Sequence, residues 1–357
     1  MKLSTSLLFL SVLVGSALTA AAPAPAEYGV GAAGFANVVK ARRPLNILLT
    51  NDDSWASANI RATYYALKSA GHKVLLVGPA MNQSGKGGTV VFPTSKTLTA
   101  PGRNNSIPVG APFSGKNATD SNIRYFDGTP AATALWALDF DVPDVFGSQD
   151  KLDLVASGPN EGNNLGIPVL AVATGPFVSD LSGTVGASRV SVGRGISSIA
   201  FSASSAPRDY TLLDLNNPKD ESILIGTQTA NLISRYGDAR GNNRLFPLGL
   251  GGNVNYSPLN ATCPVPTWAA TRISGGNALT DKVILNGAGL PTYQNLVAPG
   301  VNAIINGLPT LQGETAAVAA GCTAAFSIYS QDYDAPITAT APLAPAVGLT
   351  IAQLNRK

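Results

Sequence analysis

The chain has 357 residues, 45% of them hydrophobic and 13% charged, with a formal net charge of +3. That is enough apolar material for a full globular core, which excludes a disordered chain. The charge is spread along the sequence, and the one tight basic run, Lys40-Ala-Arg-Arg43, precedes the first predicted strand, so a nucleic-acid-binding patch is excluded as well.

Met1-Lys2, an apolar stretch from Leu7 to Leu18 and the small residues Ala20 to Ala22 have the layout of a secretory signal peptide, assigned to residues 1–21. The stretch is too short to span a bilayer, so a secreted, extracellular protein with no membrane partner is expected. Residues 22–43 form an N-terminal arm without a sustained period. Order begins with a buried strand, Leu45 to Thr50, followed by a helix from Ser57 to Ala70 that carries Ile60, Tyr64 and Leu67 on one face and ends at Gly71. His72-Lys73 opens a second strand, Val74 to Val77, and His72 is expected to be a solvent-exposed turn residue. Strand, helix and strand in so short a span make a βαβ unit and predict an α/β fold with a mostly parallel sheet.

Residues 93–124 are dense in Pro, Gly, Ser and Asn and read as a surface insertion, not as core. The pattern resumes with a helix from Ala131 to Leu138 and a third strand, Leu152 to Ala156. A loop from Ser157 to Gly166 follows, then a small-residue helix from about Thr184, a strand Ile199 to Ser202, a helix Ile223 to Tyr236 and a segment Leu248 to Tyr256. This core spans residues 44–258; residues 259–357 are less periodic and are expected to form a β-rich C-terminal extension with a Pro/Ala-rich tail. The two cysteines, Cys263 and Cys322, are an even count in an oxidising compartment and point to one disulfide, with two buried thiols as the alternative. Asn104, Asn117, Asn255 and Asn260 head Asn-x-Ser/Thr triplets and are expected glycosylation acceptors.

Three loops after three predicted strands are loaded with oxygen donors: Asn51-Asp52-Asp53, the run from Asn82 through Ser84 and Lys86 to Thr89, and Ser157 through Asn160 to Asn164. In an open parallel sheet all three lie along one edge, where Asp52, Asp53, Ser84 and Asn160 can converge. Adjacent carboxylates repel unless a cation or a shared proton separates them, and carboxylate, hydroxyl and amide oxygens suit a hard cation such as Mg²⁺, Mn²⁺ or Ca²⁺. Gly85, Gly87, Gly88, Gly158 and Gly162 allow backbone N–H groups to face an anion, and Ser182-Gly-Thr-Val-Gly-Ala187 adds two hydroxyls at an expected helix N-terminus. Serine-hydrolase, P-loop and dinucleotide signatures are missing, and with one histidine a Ser-His-Asp triad is improbable. Metal-assisted hydrolysis is what the inventory leaves.

Leu48-Leu-Thr-Asn-Asp-Asp53, Asn82-Gln-Ser-Gly85, Asp127-Gly-Thr-Pro-Ala131, Ser157-Gly-Pro-Asn-Glu-Gly-Asn-Asn-Leu-Gly166 and Ser182-Gly-Thr-Val-Gly-Ala187 resemble, in order, the motifs of the SurE survival-protein family of metal-dependent phosphatases and nucleotidases. Asn253-Val-Asn255 is similar to the family's strand after the core, and Gly321 to Asp334 to its closing hairpin. The resemblance implies a Rossmann-like, mostly parallel sheet flanked by helices with a swapped β-rich extension. It also implies a divalent cation held by Asp52, Asp53, Ser84 and Asn160, and hydrolysis of phosphate monoesters such as nucleoside monophosphates. Catalysis then falls to Asp52 and Asp53, and contacts to a small phosphorylated substrate to Asn51, Lys86, Gly158, Asn164, Ser182, Gly183 and Thr184. A homodimer joined through the C-terminal arm is implied as well. The signal peptide, insertion and glycosylation triplets resemble a secreted fungal-type acid phosphatase branch. Three departures stand out: Ser54 in place of a glycine after the aspartates, Ser57-Ala-Asn-Ile60 at the helix start, and Pro159 within the Gly-x-Asn turn. The alternative from another class is a secreted, non-catalytic phosphoryl-ligand-binding or cell-wall-associated protein on the same scaffold.

Overall fold

The computed structural model describes residues 33–165, 182–271, 273, 279–285, 287–297, 304–305, 308–309 and 313–330. The signal-peptide segment, the first part of the arm, Gly166, the end of the expected closing hairpin and the Pro/Ala-rich tail lie outside the described residues.

A nine-stranded sheet organises them. Near its middle, β1 (Asn46–Thr50) pairs in parallel with β2 (Lys73–Pro79) on one side and with β5 (Leu154–Glu161), the central strand, on the other. β2 continues in parallel to β4 (Ile123–Phe126), and β5 to β6 (Ser198–Ala203) and β7 (Leu250–Tyr256). The short β3 (Ser114–Lys116) closes one edge antiparallel to β4. At the other edge β13 (Thr323–Ser330) runs antiparallel to β7 and carries β8 (Thr267–Thr271) parallel to itself. From β1 the chain winds first to β2 and β4 and later to β5, β6 and β7, so the winding reverses between β1 and β5. In open α/β sheets that reversal opens a crevice beyond the strand C-termini.

Parallel strands need cover on both faces, which is why β1 reads as an apolar run with no polar alternation. Ile47 and Leu49 point into the larger core cluster and Leu48 into the smaller one. The larger cluster is closed by α1 (Ala58–Ala70), through Ile60, Tyr64 and Leu67, and by α5 (Glu221–Arg240), through Ile223, Ile225 and Ile233. The smaller is closed by α2 (Pro130–Trp136) and the π turn Ala137–Asp141 through Ala132, Ala137 and Leu138, with α3 (Val142–Phe146) beyond. α4 (Gly183–Gly193) packs on the same side, against α2, β5 and β6. The extension adds the hairpin of β9 (Leu279–Leu285) and β10 (Pro291–Val297), the pair β11 (Ile304–Ile305) and β12 (Leu308–Pro309), and α6 (Glu314–Ala319). A disulfide joins Cys263 to Cys322, with the Cα atoms 5.6 Å apart, and so ties the lead-in of β8 to that of β13. Among the described residues no helix is long and apolar enough to cross a membrane.

Several expectations are corrected. The stretch after Ala156 is not a loop at Ser157: β5 runs on to Glu161 through a cis Gly158–Pro159 bond, with a register shift against β6 between Ser157 and Asn160. The segment 93–124 is not merely surface, because Leu98, Ile107 and Ile123 are buried in the main core. The helix expected over Ala131 to Leu138 is α at Pro130–Trp136 only and then widens into the π turn. His72 is 5% exposed, not a solvent-facing turn residue. Its Nδ1 accepts from Leu45 N–H at 3.1 Å and its Nε2 lies 3.0 Å from Ser234 Oγ, and burial pushes its pKa down to about 4. Asn255 fails as a glycosylation acceptor: it is fully buried in β7, where its side chain accepts from the Asn164 backbone N–H and donates to the Asn164 carbonyl. Asn104 and Asn260 are exposed and Asn117 is half-buried.

Candidate active site

The C-terminal ends of β1 and β5 flank the reversal, and the residues that follow β1 are Asn51, Asp52 and Asp53, all buried. The turn is built by unusual backbone. Ser54, in place of the glycine such a turn favours, sits at φ 110°, its Oγ accepts from Ala56 N–H at 3.0 Å, and its carbonyl accepts from Asn51 Nδ2 at 3.1 Å. The serine therefore holds a glycine conformation with its own side chain as brace. On the facing strand Gly158 has φ 111°, and a Cβ there would stand 2.1 Å from the Phe201 carbonyl oxygen, so only glycine fits.

Asp52 and Asn160 meet at one hydroxyl. Thr184 Oγ1 lies 2.6 Å from Asp52 Oδ1 and 3.3 Å from Asn160 Oδ1. Thr184 is held in turn by Ser157 Oγ, which donates to its carbonyl at 2.7 Å. Asp53 is fixed at its other flank, where Oδ2 accepts from the Glu161 backbone N–H at 2.8 Å. The loop with Ser84 comes in through Gln83, whose N–H donates to the Asp52 carbonyl at 2.8 Å. The same loop touches α4 backbone to backbone: a Cβ on Gly186 would stand 2.0 Å from the Gly87 carbonyl oxygen. Sequence segments far apart thus converge on the aspartate pair.

The expected substrate contacts divide. Gly183 and Thr184, in the first turn of α4, turn toward Asp52: hydrogen bonds from the Thr184 side chain and from both backbones favour its charged form. The Ser182 hydroxyl is occupied as N-cap, accepting from Val185 N–H at 3.1 Å. Asn164 is buried and its Nδ2 donates to Ser202 Oγ at 2.8 Å, so its amide braces β6. Ser84 and Lys86 are exposed on the rim, and Asn51 keeps a buried Oδ1 with no hydrogen-bond partner.

Burial is the main force on the carboxylates. It raises the pKa of Asp52, and it raises that of Asp53 well above the ordinary carboxylate range, with the charges of Asp52 and Glu161 adding to the effect. Two such groups resist ionising together unless positive charge stands between them. An all-oxygen donor set of two carboxylates and an amide fits a hard divalent cation, and the loop that carries Ser84 reaches Asp52 through the Gln83 backbone. Two residues escaped the sequence reading: Glu161, which holds Asp53, and Arg103, which pairs with Glu161 at 2.9 Å. Only the position of Glu161 beside Asn160 was a signal for the first.

Several known proteins are similar to this chain. An acid phosphatase of Yarrowia lipolytica is 40% identical over 298 residues, covering 81% of this chain and 80% of that one. A 5'-nucleotidase SurE of Solidesulfovibrio magneticus is 33% identical over 173 residues, covering 48% of this chain and 53% of that protein. The crystal structure of a SurE protein from Aquifex aeolicus aligns with a TM-score of 0.49 at 23% identity, covering 81% of this chain and 94% of the other. Residues 47–236, more than half of the chain, match the family profile described as Survival protein SurE. The chain belongs to the Survival protein SurE family.

Proposed function

We propose that the chain is a phosphoric monoester hydrolase of the phosphatase or nucleotidase type, acting at Asp52 and Asp53 with a divalent cation. The observation that carries this is the buried Asp52–Thr184–Asn160 contact beside Asp53 at the sheet's reversal point. The names of the relatives, acid phosphatase and 5'-nucleotidase, support the substrate class. Asp52, Asp53, Asn160 and Ser84 would hold the cation, which when bound polarises a phosphoryl oxygen and lowers the pKa of water. The chain's own contribution is preorganisation: Thr184 keeps Asp52 turned and opposes the effect of burial, which raises the Asp52 pKa, Glu161 N–H fixes one oxygen of Asp53, and the α4 N-terminus adds positive potential. Lys86 and the amides of the glycine-rich loop stand on the rim, where a phosphoryl group would enter.

The same reading sends the protein out of the cytosol. It is supported by the apolar run Leu7 to Leu18 before Ala20 to Ala22 and by the Cys263–Cys322 bond, which persists in oxidising compartments. Glycans at Asn104, Asn117 and Asn260 and a homodimer belong to it, to be read by glycosidase mass shift and light scattering. The central experiment assays purified protein on p-nitrophenyl phosphate and nucleoside monophosphates, with chelator and then with added Mg²⁺ or Mn²⁺. Turnover that chelator abolishes and cation restores is expected; ligand binding without turnover at any cation concentration would leave a non-catalytic binding protein instead.

A further inference from the structure

The segment 93–124 sends one side chain to the site. Arg103 is anchored through its backbone N–H, which donates to the Ala80 carbonyl at 2.9 Å, and the buried Leu98 and Ile107 fix the segment on either side. Its side chain is 12% exposed, and the guanidinium spans two groups. Nη1 donates to the Asp53 carbonyl at 2.8 Å and lies 2.9 Å from Glu161 Oε2, while Nη2 donates to Glu161 Oε1 at 3.1 Å. The Glu161 side chain is 1% exposed and also accepts from Ser57 Oγ at 2.8 Å and Arg208 N–H at 3.1 Å.

Asp53 is therefore gripped twice: at its carbonyl by Arg103, and at its carboxylate by the backbone N–H of Glu161. The Arg103–Glu161 pair ties the two grips together. Without Arg103, Glu161 would set a third buried negative charge beside Asp52 and Asp53, and like charges in so dry a place push one another apart. We infer that Arg103 is a positioning residue for Asp53, acting through Glu161: it fixes where the Asp53 carboxylate stands and cancels the charge behind it. The inference rests on the phosphomonoesterase reading and names a part of that site supplied by the insertion.

The test uses the full purified chain, with Mg²⁺ binding by calorimetry in the absence of substrate and steady-state kinetics on p-nitrophenyl phosphate at saturating Mg²⁺. Removing a partner that orients a metal-ligating carboxylate typically costs 10–100-fold, so Arg103→Met is expected to lower kcat and Mg²⁺ affinity by about tenfold or more, with KM within about twofold. The double variant Arg103→Met/Glu161→Gln, which buries no lone charge, is expected to recover most of both losses. Wild-type kcat and Mg²⁺ affinity in Arg103→Met overturn the assignment. So does a raised KM at unchanged kcat, which makes Arg103 a substrate contact, and so does a double variant no better than the single, which makes it a scaffold anchor. If the single variant fails to fold while the double folds, the lone charge is the cause and the pairing is supported; if both fail, the assignment falls. The Mg²⁺ titration needs no turnover, so an inactive wild type would sink the functional reading while leaving this comparison decisive.

Discussion

Thr184→Val tests whether one hydroxyl keeps Asp52 ready for reaction. Valine matches threonine in shape, so the fully buried site keeps its packing, and the Ser157 hydrogen bond to the backbone carbonyl is untouched. What disappears is the donor 2.6 Å from Asp52 Oδ1. Threonine has one proton to give, and the Asn160 oxygen at 3.3 Å is the weaker acceptor, so the loss falls on the carboxylate. A hydrogen bond to a charged group contributes about 1.5–3 kcal/mol net, which corresponds to roughly 10- to 150-fold in rate if the ionised Asp52 is needed in the transition state. Thr184→Ser keeps the donor and should stay within about fivefold of wild type. The assay is kcat/KM on p-nitrophenyl phosphate with thermal melts as a check on folding. A folded valine variant within about threefold of wild type, or a serine variant as poor as valine, would refute the reasoning.

Asp52→Asn should fold normally, since Thr184 can still donate to the amide oxygen, and should cut turnover by about 10²-fold or more; near-normal turnover with cation still required would dismiss Asp52 from catalysis. Ser54→Ala and Ser54→Gly both remove the Oγ acceptor of Ala56 N–H, but only glycine relieves φ 110°, so glycine should be the more stable of the two by about 1 kcal/mol in urea unfolding, and equal midpoints would show no backbone cost there. His72, held neutral down to about pH 4 against an ordinary value of 6.5, contributes stability that is full above pH 6.5 and is lost as pH falls toward 4, at up to about 1.4 kcal/mol per pH unit. His72→Gln should flatten the fall in urea midpoint across that window, and an unchanged slope would point to other groups.

The core of the fold was legible because β1, α1 and β2 carry their own signals: an apolar run, a one-faced helix and a glycine stop at φ 100°. The aspartate pair was legible for the same local reason. What stayed hidden depends on partners far along the chain. His72 reads as an exposed turn until Ser234, 162 residues on, covers it. Gly158-Pro159 reads as a break, yet the neighbouring β6 accepts the bulge and the strand continues. Arg103 reads as one more polar residue of an insertion, and its meaning lies in Asp53 and Glu161. Thr184 was assigned to the substrate because a helix N-terminus favours anions, and here the anion it meets is the protein's own Asp52. Asn255 is different: the expected strand over Leu248 to Tyr256 already argued against a glycan in its middle, and a triplet pattern has no sense of depth.

Between Gly87 and Gly186 the rim loop and α4 meet with no side chain to spare. An engineer wishing to separate the two has nothing to trim at that seam, because both residues are already at the lower limit of size. The spacing there is set by where two main chains lie, and widening it means re-routing one of them.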